Sequence, residues 1–134
     1  MRPQRVPDDQ VTAWAPREQD GGEEWLLLTF SNTVTIASVR VRETYNPGAL
    51  VKITAVQDNG AEAVLWEGTE PASEAPVDMQ FSAANPVTTK SVKLYLDTRL
   101  VPGWNEIDAV AIVGAEGSLQ WASQAVASSS FADR

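Results

Sequence analysis

The sequence predicts an all-β fold, an antiparallel β-sandwich or jelly roll formed by one domain. Helical periodicity of the apolar residues is hard to find along the 134 residues, whereas short runs of strand-forming residues recur. Turn signals rich in Gly, Pro, Asn and Asp separate these runs. Short strands at such spacing are typical of antiparallel sandwiches, and a chain of this length can bury one core.

The first two predicted strands carry the clearest local signal. Residues 24–30, which read EWLLLTF, form an apolar run rich in strand formers. Residues 34–44 contain two stretches in which apolar and other side chains alternate. The apolar positions change from even to odd numbers near residues 37–38. A change of parity within one strand predicts a β-bulge at that point.

Five more strands follow at similar spacing. Residues 50–56, 77–81 and 92–97 alternate apolar with polar side chains, as expected for strands with one buried face. Residues 63–66 form a short strand, and residues 107–114 are almost continuously apolar, which is typical of a central strand. The turn signals between the strands lie at 31–32, 46–48, 58–60, 67–76, 84–86 and 101–104.

Composition limits the classes of partner. The net charge of −8 and the pI near 4.4 disfavour binding to nucleic acid or to an anionic membrane surface. No apolar run approaches the ~20 residues of a membrane span, so no membrane insertion is expected, and no signal peptide is visible after Met1. Neutral sugars, cations and proteins remain as partners.

Catalysis is not expected. The chain has no His and no Cys, which removes the commonest general base, thiol nucleophiles and thiolate metal sites. Glu106 and Asp108 lie two apart on a predicted strand, but one such pair of acids is weak evidence for a glycosidase. No nucleophile elbow or phosphate-binding loop is present. We therefore expect a protein that is not an enzyme.

Loop residues at one end of the sandwich suggest a ligand site. If successive strands run antiparallel, alternate loops meet at the same end, and we call the end at which the first strand begins the lower end. The upper end collects mostly Ser, Asn, Gly and Thr. Aromatic and ionisable residues collect at the lower end, which favours a binding site there. They are Trp14, Glu18, Tyr45, Asn46, Glu67, Arg99, Trp104, Asn105 and Glu106.

Three motifs, taken together, resemble a known family. They are TAWAP at 12–16, ETYNPGALVKI at 43–53 and VPGWNEIDAVAIVG at 101–114. With them the chain from about residue 10 to residue 114 resembles the discoidin, or coagulation-factor type C, family of galactose-binding-like jelly rolls, in its bacterial accessory form. The resemblance implies an antiparallel jelly-roll sandwich of about eight strands and no catalysis. It also implies that loops at one end bind sugars, lipid headgroups or proteins.

Many members of that family hold a structural calcium ion, between an early loop and an acid near the last strand. The carboxylates available for such a site here are those of Asp8, Asp9 and Glu106, which are the hard oxygen ligands that calcium prefers. The segment before Thr12 is too short for the opening strand and the whole acidic loop of the family. Solvated acids at Asp8 and Asp9 are therefore the alternative, and no other cofactor is expected.

The tail of the chain resembles the strand that its amino terminus lacks. Relatives open with a strand of the form W-A-x-x-A-x-A-S-S-x-[FY]-A, and residues 121–133 read WASQAVASSSFAD. We therefore divide the chain into a discoidin-like jelly roll without its usual first strand, residues 1–118, and a tail resembling that displaced strand, residues 119–134.

The tail permits three interpretations. Anchored by Trp121, Val126 and Phe131, it would complete its own sheet, as in a circular permutation, or the sheet of a neighbouring subunit, as in strand complementation. Exchange between identical subunits would give a homo-oligomer or a filament. The third interpretation is a domain boundary within a tandem array.

Structural roles compete with binding roles at the lower end. Trp14 and Trp104 would stack on a sugar or plug the end of the sandwich. The ETYNPG segment is explained as a tight turn without a ligand, with Tyr45 covering the core. Glu43 and Arg99 would form a partly buried ion pair or hold the hydroxyls of a ligand.

The sequence thus predicts a non-catalytic binding module, placed outside the cytoplasm or on the cell surface of a bacterium by the family resemblance. Its expected ligand is a carbohydrate, another polar molecule or a protein. The alternative is a structural module that assembles through its C-terminal strand. The residues predicted to bind the ligand are Trp14, Tyr45, Asn46, Arg99, Trp104 and Asn105.

Overall fold

The computed structural model describes residues 23–45, 48–70, 77–100 and 106–127, and within these ranges it contains β-strands and no α-helix. A 3-10 turn, Thr98–Leu100, follows the fourth strand. In this part of the chain no helix has the length and apolar character needed to cross a membrane. The strands are β1 (Glu23–Tyr45), β2 (Leu50–Val56), β3 (Glu62–Glu67), β4 (Val77–Asp97), β5 (Glu106–Gly114), β6 (Leu119–Trp121) and β7 (Gln124–Ala127).

The strands β1 and β4 form one long antiparallel ribbon that contributes to both layers of the sandwich. Its register runs from Glu23 opposite Asp97 at one end to Glu43 opposite Val77 at the other. The first half of β1 lies in the first layer, which has the strand order β3-β2-β4-β1-β7. The second half lies in the second layer, ordered β4-β1-β5-β6. All pairs are antiparallel, so the predicted all-β sandwich is confirmed.

Two pairs of strands that the sequence predicts as separate are continuous. We expected a turn at residues 31–32 and another at 84–86, but β1 and β4 each run through these positions. The register of the ribbon is interrupted between Thr29 and Val34 and then resumes. The polar residues that resemble turns therefore mark the places where the ribbon passes from one layer to the other.

The β-bulge predicted near residues 37–38 is confirmed. Ile36 lies opposite Gly114 and Ser38 lies opposite Val113, so Ala37 is an extra residue on β1. The extra residue restores the apolar side chains to the core, because Ile36 and Val39 are both buried although they lie three residues apart.

The core lies between the two layers. The ring centroids of Trp66, from the first layer, and Phe81, from the second, lie 4.6 Å apart. Burial of each large aliphatic side chain contributes about 1.5–3 kcal/mol to stability. The buried core residues include Leu26, Leu28, Leu94 and Leu96 from the first layer and Val41, Ile107 and Ile112 from the second.

Both ends of the ribbon meet at the lower end. Glu70 follows β3 in the first layer, and its backbone N–H donates to the Leu50 carbonyl at 3.1 Å. Leu50 in turn is the register partner of Leu96, near the end of β4. The Glu70 carboxyl meets that of Glu43, near the other end of the ribbon. Strand ends from both layers are therefore neighbours, as the alternation of the loops predicts.

The described part of the tail pairs with strands of its own chain. Trp121 lies opposite Ala111 of β5 in the second layer, and Val126 lies opposite Leu27 of β1 in the first. Ala122, between β6 and β7, is buried in the core. The tail thus adds a strand to each layer, while Phe131 lies outside the described residues.

Candidate functional site

A row of four side chains crosses the outer face of the first layer near the lower end. The row consists of Trp25 on β1, Tyr95 on β4, Lys52 on β2 and Glu67 on β3, and each residue is the register partner of the next. Because side chains alternate along a strand, the positions beside these point into the core. Four strands therefore hold the row at fixed spacing.

An open groove of about 400 Å³ lies beside this row. One wall of the groove is formed by the residues that follow β3. This wall is hydrogen-bonded to β2, because the Gly68 N–H donates to the Val51 carbonyl at 3.0 Å. The groove is therefore bordered by backbone that is hydrogen-bonded to the sheet. Its lining comprises two carboxylates, an ammonium group, a phenol and small side chains, from Glu23, Val51, Lys52, Glu67, Gly68, Thr69 and Tyr95.

Lysine ammonium groups lie against the aromatic rings of the row. Lys52 Nζ is 4.6 Å from the centroid of the Tyr95 ring. Lys93 Nζ is 4.6 Å from the centroid of the Trp25 ring and 5.1 Å from that of Tyr95. These distances are within the range of cation–π attraction. The outer face therefore places N–H donors directly beside aromatic surface.

Glu62 fixes the orientation of the Tyr95 ring. The Tyr95 hydroxyl donates to Glu62 Oε1 at 2.5 Å, and the Thr54 hydroxyl donates to the same oxygen at 2.8 Å. The bond from Tyr95 is the largest cause that lowers the pKa of Glu62, and the Lys93 ammonium, 3.8 Å from Oε2, adds to it. Burial, followed by the bond to Glu62, raises the pKa of Tyr95 to about 12. At neutral pH the phenol is therefore a donor and Glu62 a charged acceptor.

Arg99 lies at the lower end, as predicted, but it does not pair with Glu43. Its guanidinium forms two bonds to the Asp97 carboxylate, at 2.9 and 3.1 Å. The bond from Arg99 is the largest cause that holds the pKa of Asp97 below its usual value. The expected ion pair of Glu43 and Arg99 is therefore wrong: Arg99 is 61% exposed, whereas Glu43 is buried against Glu70.

The other residues predicted to bind a ligand are only partly within the described chain. Tyr45 ends β1 at the lower end, opposite Glu106 of β5, and nothing is described of either side chain. Glu67, which was predicted to lie at the lower end but not to bind the ligand, lines the groove. Trp14, Asn46, Trp104 and Asn105 lie outside the described residues. The structure thus has Glu67, Arg99 and the backbone of Tyr45 at the lower end, and the binding role of every predicted residue stays a prediction.

The calcium site stays a prediction as well. Asp8 and Asp9 lie outside the described residues, and of Glu106 only the backbone position at the start of β5 is described. The residues that the structure does describe contain no group of three or more acidic, His or Cys side chains placed to hold a metal ion.

Sequence reasoning missed the residues that dominate the groove. Lys52, Tyr95 and Glu23 lie on strands or at their ends, whereas the contacts predicted from the sequence lie mainly in loops. A signal was available, because Lys52 and Tyr95 occupy the polar positions of strands whose alternation is clear. The register that makes them neighbours depends on pairing between strands distant in sequence, which the alternation alone does not give.

No family model matches the sequence, and no curated protein matches it. Among solved structures, the chain is similar to a pectin-binding carbohydrate-binding module. The sequence identity is 26%, the TM-score is 0.59, and the similarity covers 82% of this chain and 77% of that chain. This likeness supports a jelly-roll sandwich of the carbohydrate-binding-module type and does not single out the discoidin family.

Proposed function

We propose that this chain is a non-catalytic carbohydrate-binding module that holds a saccharide in the groove beside Lys52 and Tyr95. The observation that carries the proposal is the structural likeness to the pectin-binding module, which extends over 82% of this chain. The sequence motifs support a finer assignment to the discoidin type, which we also propose.

The chemistry of the groove suits a sugar. The Tyr95 ring offers apolar surface on which the C–H face of a pyranose can pack. Lys52 can donate to sugar oxygens, and Glu23 and Glu67 can accept from hydroxyl groups. Since the bond to Glu62 already fixes the Tyr95 ring, little ordering of that side chain opposes binding.

We propose that the sugar units in the groove are uncharged. Two carboxylates and one ammonium group line the groove, and the whole chain carries a net charge of −8, so an ionised polysaccharide is repelled. Pectin contains methyl-esterified and neutral stretches as well as ionised galacturonate. The esterified and neutral stretches fit the charge of this site.

The residues predicted from the sequence extend the proposed contact surface at the same end. We retain Trp14, Tyr45, Asn46, Arg99, Trp104 and Asn105 as proposed contacts. Their support is the placement of Arg99 and of the Tyr45 backbone at the lower end. A Trp104→Ala variant that binds like the parent protein would remove that residue from the surface.

We further propose that the protein acts outside the cytoplasm, where polysaccharides of this class occur. The alternative role, assembly through the tail strand, gains no support from the structure. The described part of the tail pairs with β5 and β1 of its own chain.

Affinity electrophoresis tests the proposed function. The gels contain methyl-esterified pectin, neutral galactan or polygalacturonate, and the proteins are the parent, Lys52→Ala and Lys90→Ala. Lys90 is the matched control because it is exposed on β4 and does not line the groove. We expect retardation by the first two polysaccharides and about tenfold weaker binding by Lys52→Ala, equivalent to one lost hydrogen bond.

Two results of this experiment contradict the proposal. Free migration of the parent protein in all three gels would overturn carbohydrate binding. Retardation by polygalacturonate alone, abolished by added salt, would overturn the choice of uncharged sugar units.

A further inference from the structure

Two glutamate carboxyls meet inside the lower end of the sandwich. Glu43 of β1 is 3% exposed, and Glu70, which follows β3, is 2% exposed. The two carboxyl groups lie close enough for a hydrogen bond between them. Such a bond between two carboxyls requires a proton on one of them, and two charged carboxylates in contact away from water would repel each other strongly.

The carboxyl groups of Glu43 and Glu70 differ in the hydrogen bonds that they accept from the backbone. Glu70 Oε1 accepts from the Gly48 N–H at 2.9 Å and from the Leu50 N–H at 3.2 Å. Among the described residues, Oε2 of Glu43 and Oε2 of Glu70 are buried, and no donor group bonds to either of them. Buried polar atoms without a partner are rare and costly in native proteins. One proton held between the carboxyls satisfies both oxygens.

We propose that Glu43 and Glu70 form a buried proton-binding site, in which Glu43 carries the proton at neutral pH and Glu70 is the charged acceptor. The two backbone N–H groups directed at Glu70 favour the charge on that residue. Burial, then the hydrogen bond and the charge of Glu70, raise the pKa of Glu43 far above its usual range.

Among the described residues, the other charged groups on the surrounding elements do not replace this proton. On β1, Arg42 is 46% exposed and bonds to Asp78 of β4 at 2.8 Å. On β3, Glu67 is exposed and lines the groove. The neighbouring strand β5 also carries Glu106 and Asp108, whose side chains are outside the described set. Because Glu43→Gln and Glu43→Ala change the same position, contributions from these groups cancel when the two variants are compared.

The direction of the pH effect on stability depends on whether the folded or the unfolded state binds the proton more tightly. In the unfolded chain Glu43 releases its proton near its ordinary pKa of 4.5, whereas in the folded protein it keeps it to higher pH. Above about pH 4.5 the folded state therefore binds more protons than the unfolded state, and stability falls as pH rises. Folding at neutral pH thus includes the uptake of one proton by this pair.

The proton site also lies under one wall of the groove. Val51, Gly68 and Thr69 line the groove. Glu70 directly follows Thr69 in the chain, and Leu50, whose carbonyl accepts from the Glu70 N–H, directly precedes Val51. Loss of the proton would place two like charges at the base of this wall. Weaker sugar binding at alkaline pH follows, and this consequence alone rests on the proposed function. The proton site itself is tested by folding, without any sugar.

Unfolding by urea from pH 5 to pH 10 tests the proton site with the variants Glu43→Gln, Glu43→Ala and Asp58→Asn. The Gln amide can donate to Glu70 as the protonated carboxyl does, but it does not titrate. As the pH rises, we expect the equilibrium constant for folding of Glu43→Gln to increase relative to that of the parent protein, by up to about tenfold per pH unit. Glu43→Ala, which leaves Oε2 of Glu70 without a partner, is destabilised. Asp58→Asn, at an exposed turn, follows the parent curve in parallel.

Parallel curves for the parent and Glu43→Gln would overturn the proposal, and so would equal destabilisation by Gln and Ala. Infrared spectroscopy of the parent protein at pH 7 gives an independent reading that does not depend on how the variants fold. A protonated carboxyl band at a pH where exposed carboxyls are ionised supports the site, and its absence contradicts it.

Discussion

The hydroxyl of Tyr95 on β4 reaches across β2 and donates a hydrogen bond of 2.5 Å to Glu62 on β3. The intervening strand joins the same carboxylate through Thr54, at 2.8 Å. Three strands of the first layer are therefore linked on their outer face by one acceptor, beside the groove that Tyr95 lines. This link connects the order of the sheet to the geometry of the candidate site.

Tyr95→Phe tests the contribution of that link. The variant keeps the ring and its packing but removes the donor to Glu62, so we expect a loss of about 1 kcal/mol in the free energy of unfolding. Urea unfolding at pH 7 measures it. Unchanged stability would show that solvent replaces the bond without loss.

The stability of the protein at acid pH depends on Glu62. Its folded pKa is lowered, first by the Tyr95 bond, so its contribution is complete above the unfolded pKa of 4.5 and is lost as pH falls through the folded value. We expect Glu62→Gln to show a smaller loss of stability than the parent between pH 5 and pH 3. Identical losses in the two proteins would contradict this assignment.

The core requires the side chain of Leu94. This residue is fully buried in the first layer, and Leu94→Ala leaves a cavity, so we expect it to destabilise the fold by about 2–5 kcal/mol. Val64→Ala on β3 is the matched control, because Val64 is 45% exposed. The control should change stability by less than about 0.5 kcal/mol. Similar effects of both changes in thermal unfolding would contradict the assigned core.

The tail stabilises the fold from within the same chain. Removal of residues 119–134 deletes β6 and β7 and uncovers the core at Ala122, so we expect loss of cooperative unfolding or a marked fall in the unfolding temperature. Light scattering of the full chain should give a monomer at all concentrations. A truncated protein as stable as its parent, or a parent that associates with concentration, would contradict this role.

Much of the fold follows from local patterns in the sequence. Alternation located the strands, and the change of parity at Ala37 located the bulge, because each depends on neighbouring residues. The continuity of β1 past Ser31 and Asn32 was not predictable in the same way. Polar residues of this kind are expected both in a turn and where a strand crosses from one layer to the other. Only the pairing with β4 distinguishes the two cases.

The site was less predictable than the fold, for a physical reason. The alternation of loops placed Glu67 and Arg99 at the lower end, and the structure has them there. The neighbourhood of Lys52 and Tyr95 depends on the register between two strands distant in sequence. The meeting of Glu43 with Glu70 depends on how the two layers pack, because β1 and β3 do not pair with each other. A buried pair of acids also differs from the usual expectation that a buried Glu43 forms an ion pair with a cation such as Arg99.

Isothermal titration of the full chain with methyl-esterified pectin measures the proposed binding of uncharged sugar units. We expect saturable binding that added salt changes little, weakened about tenfold by Lys52→Ala and unaffected by Lys90→Ala. Absence of saturable binding by the correctly folded parent protein would contradict it.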